Sequence, residues 1–194
     1  MKRKQLDFQR PSAIWSSAIG SLADPMPPGA VAERAYADEP VLVINDMQPG
    51  FPASSDALTV YAIEEQIRQA KARNLGIIVV EYDAHEEGET IPQIMRHLKG
   101  YAKAIVVSKS DDDGSAEIFD AVIENGFWPE YFIFCGVNSD SCVMKTIQGL
   151  IARVPTCCIT LIQDACNSDN GKDCPVWHKV FPQMKNVIVH LHGS

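Results

Sequence analysis

The feature that most constrains this chain is an alternation that repeats from Pro40 onward: a short apolar run, then a segment whose apolar residues fall three and four apart. Val41-Leu42-Val43-Ile44 opens the series. Ile77-Ile78-Val79-Val80, Ala104-Ile105-Val106-Val107, Tyr131-Phe132-Ile133-Phe134-Cys135, residues 156–162 and residues 186–191 continue it. The first run, short and continuously apolar, suits a strand buried on both faces, and the others read as further strands. Between them, four sets mark helices: Val60, Ile63, Ile67 and Ala70; Ile91, Ile94, Met95 and Leu98; Ile118, Phe119, Val122 and Ile123; Val143, Ile147, Leu150 and Ile151. A fifth helix is expected around residues 176–181. Asn74 to Gly76, Gly100 and Asn125-Gly126 supply stop signals for the first three. Parallel neighbours need crossover connections, so the pattern predicts an α/β fold: three αβα layers built on a six-stranded, mostly parallel, Rossmann-like sheet.

Residues 1–39 do not share the pattern. Pro11, Pro25, Pro27 and Pro28 with scattered Gly and Ala predict an irregular N-terminal arm holding a short helix near residues 31–36, and residues 40–194 form the domain. The length suits one domain with a substantial core. Net charge is -8. An acidic surface without a basic stripe repels phosphate backbones, which argues against nucleic acid as a partner. No apolar run approaches the roughly eighteen residues of a membrane span, and Met1-Lys2-Arg3-Lys4 leads into no apolar signal core. The six cysteines include no CxxC pair, which favours a reduced, cytoplasmic protein over a disulfide scaffold.

Open parallel sheets bind ligands outside the carboxyl ends of their strands. The polar residues there are Asn45-Asp46 after strand one, Asp83 and His85 after strand two, Lys109 after strand three, and Asp164 after strand five. After strand four, Gly136-Val137-Asn138-Ser139-Asp140-Ser141 leads to Cys142 at a helix start. An acid, a cation and a thiol thus reach one edge on three strands. A thiol titrates near ~8.5, and a helix start plus a nearby cation lower it, so Lys109 and the helix are expected to outweigh Asp46 and depress Cys142. Asp46 could take the thiol proton, deliver it to a leaving nitrogen and later activate water. Each residue also has a plain structural reading: Cys142 as a small buried apolar group, Asp46 as a turn former, and Lys109 as a surface partner of Asp111, Asp112 or Asp113.

The segments VLVINDMQPGF (41–51), VVSKSDDDGSAEIFD (106–120) and FCGVNSDSCVMKT (134–146) together resemble the isochorismatase-like cysteine hydrolases. That family includes nicotinamidases, N-carbamoylsarcosine and ureidoacrylate amidohydrolases, and isochorismatases. The resemblance runs from about Pro40 to Asn170 and implies a catalytic group of Asp46, Lys109 and Cys142. It also implies a cis peptide between Val137 and Asn138, with an oxyanion hole made by the backbone N–H groups of Asn138 and Cys142. Members that hydrolyse the vinyl ether of isochorismate lack the thiol, so Cys142 favours the amidohydrolase branch: attack on an amide, urea-like or carbamoyl C–N bond of a small molecule through a thioester. Phe51 and Tyr82 are expected to line the substrate pocket. Asp83-Ala84-His85 resembles half of the nicotinamidase metal motif, but no second half follows, so neither metal nor another cofactor is expected. The resemblance and the Pro-rich arm suggest a homo-oligomer.

Three other readings compete. A catalytically idle binding or scaffold protein would be free to lose any of the three residues. A Rossmann nucleotide binder would carry GxGxxG where Asp46-Met47-Gln48-Pro49-Gly50-Phe51 stands. A thiol-redox protein would need CxxC. A nicotinamidase-like metal amidase stays open as a variant of the leading reading.

Overall fold

The computed structural model describes residues 39–190. The short arm helix expected near residues 31–36, and Leu191, lie outside the described residues. The chain order is β1 (Val41–Asn45), a 3-10 turn (Pro52–Ser55), α1 (Ala57–Ala72), β2 (Ile77–Tyr82), α2 (Ala84–Glu87), α3 (Pro92–Leu98), β3 (Ala104–Lys109) and α4 (Ser115–Glu124). Then come β4 (Tyr131–Gly136), a π-helical turn (Ser139–Val143), α5 (Met144–Arg153), β5 (Cys158–Cys166), α6 (Val176–Lys179), a second 3-10 turn (Phe181–Gln183) and β6 (Val187–His190).

The six strands form one sheet, ordered β3-β2-β1-β4-β5-β6, with every pairing parallel. All five residues of β1 are buried, as its uninterrupted apolar run requires of a strand covered on both faces. Helix α1 packs with α3 and against β1, β4 and β5, while α4 packs with α5 and against β2 and β3. Phe132, Phe134 and Phe181 are the bulkiest side chains sealed in the core, each contributing about 1.5–3 kcal/mol by leaving water. Helix α1 starts where Asp56 caps it, its Oδ1 accepting from Thr59 N at 2.8 Å and pairing with Lys172 Nζ at 2.7 Å.

Several local boundaries differ from the sequence reading. Thr156 precedes the strand, and β5 continues through Asp164 to Cys166, where it pairs with Gly136 across a register irregularity. The expected helix at residues 176–181 is broken by Pro182 into one short helix and a 3-10 turn. Helix α2, only four residues long, carries no apolar periodicity and gave no signal.

Strand order reverses between β1 and β4. Their C-terminal ends are in register, Asn45 opposite Gly136, and Tyr82 is likewise opposite Lys109 on the neighbouring pair. Four strand ends therefore open onto one crevice, where doubly wound sheets bind ligands. Gly136 is required there: at φ 121° it lies so close to β1 that a Cβ would overlap the Asn45 carbonyl and stand 2.6 Å from Asn45 N.

Candidate active site

Asp46 follows β1 with a φ of 51°, a left-handed conformation that Asp tolerates better than most residues. Its N–H donates to Val80 O at 2.9 Å, fixing the turn onto β2. Lys109 ends β3, and its Nζ lies 2.9 Å from Asp46 Oδ2, with both side chains at 0% exposure. The surface pairing of Lys109 with Asp111, Asp112 or Asp113 is therefore not what forms; Lys109 Nζ instead donates to the backbone carbonyl of Asp112 at 2.9 Å. Asn45 Nδ2 donates to Asp46 Oδ2 at 2.9 Å and to Val137 O at 3.0 Å, joining the acid to the loop after β4. Asp46 Oδ1 is buried without a hydrogen-bond partner.

That loop carries the thiol. The Val137–Asn138 peptide is cis, where the resemblance placed it. Asn138 and Asp169 bond reciprocally, Nδ2 to Oδ2 and Asp169 N to Asn138 Oδ1, both at 3.0 Å. Cys142 sits at 4% exposure inside the π-helical turn, and α5 proper begins only at Met144. Inserted π turns recur at functional sites because they re-aim side chains within a helix. Cys142 and Asp46 interact as side chains, and each affects the other's ionisation. The Lys109 ammonium also lies 5.6 Å from the centre of the Tyr82 ring, which meets Phe51 edge-on at 6.2 Å. Gln48 holds Tyr82 through its backbone, accepting from Tyr82 N at 2.7 Å and donating to Tyr82 O at 2.9 Å. The structure thus brings Asp46, Lys109, Cys142, Asn138, Phe51 and Tyr82 to one crevice.

Sequence reasoning missed Asp112 and Lys145. Cys142 Sγ donates to Asp112 Oδ1 at 3.5 Å, Ser141 Oγ donates to Asp112 Oδ2 at 3.2 Å, and Lys145 Nζ pairs with that same Oδ2. Lys145 is three residues beyond Cys142, the spacing that puts two side chains on one helical face, so a signal for it existed. Nothing in the run Asp111-Asp112-Asp113 singled out its middle member.

The electrostatics correct one expectation. Burial pushes the Cys142 thiol up to about 12; Lys109 acts against that, while Asp46 and Asp112 reinforce it. The expected depression fails because the thiol is desolvated, faces two carboxylates rather than one, and lies within a π turn rather than at the first turn of a free helix end. Burial likewise raises the Asp46 carboxyl above the ordinary range, with Lys109 opposing it most strongly. Lys145 holds Asp112 below the ordinary carboxylate value. The resting site therefore contains a protonated thiol beside a carboxyl of raised proton affinity.

Asp83, at φ 32°, and His85 in α2 supply two donors for a metal. Among the described residues no group of three or more His, Cys, Asp or Glu side chains could hold an ion, so the nicotinamidase-type donor set does not fit here. All six cysteines are free and buried. No helix among the described residues is long and apolar enough to cross a membrane.

The Isochorismatase domain family model matches residues 40–180. No curated protein matches the chain in sequence. Among solved structures, N-carbamoylsarcosine amidase from Thermoplasma acidophilum is similar at a TM-score of 0.64 and 19% identity, over 80% of this chain and 98% of that one. An isochorismatase from Pseudomonas putida is similar at 0.63 and 19%, over 87% and 97%. The MAR1 ribonuclease from Caenorhabditis elegans is similar at 0.58 and 18%, over 67% of this chain and 65% of that one. At these identities the likeness to solved structures shows a shared fold.

Proposed function

We propose that this chain, which belongs to the isochorismatase family, a family of hydrolases, is a cysteine amidohydrolase acting on a small C–N substrate. The observation that carries the reading is the Asp46–Lys109 pair, 2.9 Å apart at 0% exposure, set beside the Cys142 thiol by three different strand ends. Burying two charges is costly, and replacing such a pair by apolar residues is often neutral or stabilising, so its presence beside a thiol suits chemistry better than stability.

In this reading the thiol proton moves to Asp46 as Sγ bonds to the substrate carbonyl carbon. A preformed thiolate is not needed, and the raised Asp46 carboxyl suits a group that must accept a proton and then release it. The backbone N–H groups of Asn138 and Cys142 receive the developing oxyanion, each such donor contributing roughly 3–4 kcal/mol in comparable sites. Asp46 gives the proton to the leaving nitrogen, the C–N bond breaks, and a thioester remains on Cys142. Asp46 then takes a proton from water, which attacks the thioester; the acid leaves and the thiol is reprotonated. Lys109 balances the Asp46 charge throughout. Phe51 and Tyr82 form an aromatic wall suited to a small planar molecule.

A net charge of -8 opposes a phosphate backbone, so the ribonuclease activity named for one structural relative is not carried over. A homo-oligomer belongs to the proposal and is checked by light scattering. The deciding experiment is ammonia release from a panel of small amides, ureas and carbamoyl compounds by the wild type and Cys142→Ala. Turnover abolished by the substitution is expected; a variant that kept the wild-type rate would refute the nucleophile, and a panel wholly unprocessed would favour the idle-scaffold reading.

A further inference from the structure

The chemistry above uses neither Asp112 nor Lys145, yet Asp112 stands against the reacting sulfur and Lys145 pairs with Asp112. Asp112 Oδ1 takes the thiol as donor at 3.5 Å, while Oδ2 is held by Lys145 and by Ser141 at 3.2 Å. Its backbone carbonyl is fixed from below by Lys109 Nζ at 2.9 Å and by Thr146 Oγ1 at 3.2 Å. Three donors thus reach the carboxylate and two more hold the backbone carbonyl of the same residue. It differs from Asp46 in exposure: the Asp112 and Lys145 side chains are 32% and 49% exposed, where Asp46 and Lys109 are sealed. The second ion pair is thus partly open to solvent, and Asp112 touches the sulfur from it. Tyr82 faces the same charge, since after desolvation Asp112 contributes most to raising its phenol.

Asp112 is a carboxylate, held below the ordinary value chiefly by Lys145, and a carboxylate only accepts hydrogen bonds. With Sγ 3.5 Å from Oδ1, a group on the carbon under attack that is turned to the Asp112 side comes within hydrogen-bond reach of Oδ1. An N–H there replaces the thiol as the donor to Asp112, and the thiol is freed to turn its proton toward Asp46. A carboxylate there would meet Asp112 as a like charge.

Resting on the thiol reading above, we propose that Asp112, charged and steered by Lys145, is the specificity-determining residue of this site and selects substrates bearing a neutral N–H donor beside the reacting carbonyl against those bearing a carboxylate there.

Iodoacetamide and iodoacetate test this without a known substrate, because they differ only in presenting an amide or a carboxylate next to the carbon that Sγ attacks. The ratio of their alkylation rates at Cys142, followed by peptide mass spectrometry, is independent of the thiolate fraction that both reagents share. A like charge at about 5 Å partly screened by solvent predicts a roughly tenfold fall in the iodoacetamide-to-iodoacetate ratio in Asp112→Asn. Lys145→Met should move it the other way, since the carboxylate then loses its counter-charge. A ratio unchanged in Asp112→Asn, or one that moves in the same direction in both variants, overturns the selection by Asp112 while leaving the thiol reading intact. Absence of labelling at Cys142 in the wild type and in both variants overturns the thiol reading and this inference with it.

Discussion

Replacing Lys109 by Met removes the sealed ammonium at nearly constant side-chain length. Asp46 then loses its partner at 2.9 Å and keeps the Asn45 Nδ2 donor, also at 2.9 Å, with no solvent contact of its own. Breaking a buried pair from one side costs about 3–5 kcal/mol, and the retained donor places this case near about 3 kcal/mol at pH 7. The cost should depend on pH. Burial already raises Asp46 against the opposition of Lys109, so loss of the cation raises it further. An acid whose folded pKa exceeds its unfolded ~3.9 lends stability that is full below about pH 4 and is lost as pH rises through the folded value. Lys109→Met should therefore be less impaired at pH 5 than at pH 7, by up to about 2.7 kcal/mol, at about 1.36 kcal/mol for each of the two pH units. The uncharged double variant Asp46→Asn with Lys109→Met should exceed Lys109→Met in stability at pH 7 and lose this pH dependence. Urea unfolding followed by circular dichroism at the two pH values measures all three proteins. A loss below about 1 kcal/mol, equal at both pH values, would mean that the pair behaves like a surface ion pair and that its sealed geometry counts for nothing.

The other expectations are shorter. Asp46→Asn and Cys142→Ala should each abolish hydrolysis of a confirmed substrate, and the double variant should be no slower than either, because the residues act as one unit; a much slower double variant would contradict that. With the thiol pushed up to about 12, alkylation of Cys142 should climb about tenfold per pH unit from pH 8 to 10 without levelling. Asp46→Asn should shift that profile to lower pH and Lys109→Met to higher pH, so a wild-type plateau below pH 9 would refute the desolvation argument. Gly136→Ala should cost on the order of 3 kcal/mol or more, since it adds a side chain at φ 121° against the backbone of β1; a melting temperature close to wild type would show that the strands can part.

The strands were the most legible part of the sequence. The run Val41-Leu42-Val43-Ile44 is buried throughout, but the equally apolar run of edge strand β3 leaves Val106 47% exposed, so apolar continuity marked the strands without telling central from edge. The placement of Asp46, Lys109 and Cys142 at strand ends was legible for the same reason: strand position fixes which edge a following residue reaches. The π turn around Cys142 was not legible, because Val143 continues the same apolar stripe as Ile147 and Leu150 and periodicity does not distinguish one extra residue per turn. The thiol's ionisation was misread for a related reason. Neither the 4% exposure of Cys142 nor the approach of Asp112 from the loop after β3 is written in the spacing of residues along one chain segment. Asp112 looks identical to Asp111 and Asp113 until the loop folds and only one of the three turns toward the sulfur.

The Asn45 amide, which donates to Asp46 on one side and to the Val137 carbonyl on the other, has a mechanical consequence. One planar group with two protons acts as a spacer between the Asp46 carboxyl and the loop that carries Cys142. Their separation is set by the reach of that one amide and its two hydrogen bonds. In the proposed reaction, the acid and the thiol are thereby tied to the central seam between β1 and β4. Tyr82, tied to Gln48 through its backbone, and the Asp112–Lys145 pair stand outside that spacer, so either can be substituted without touching the amide that joins Asp46 to the loop.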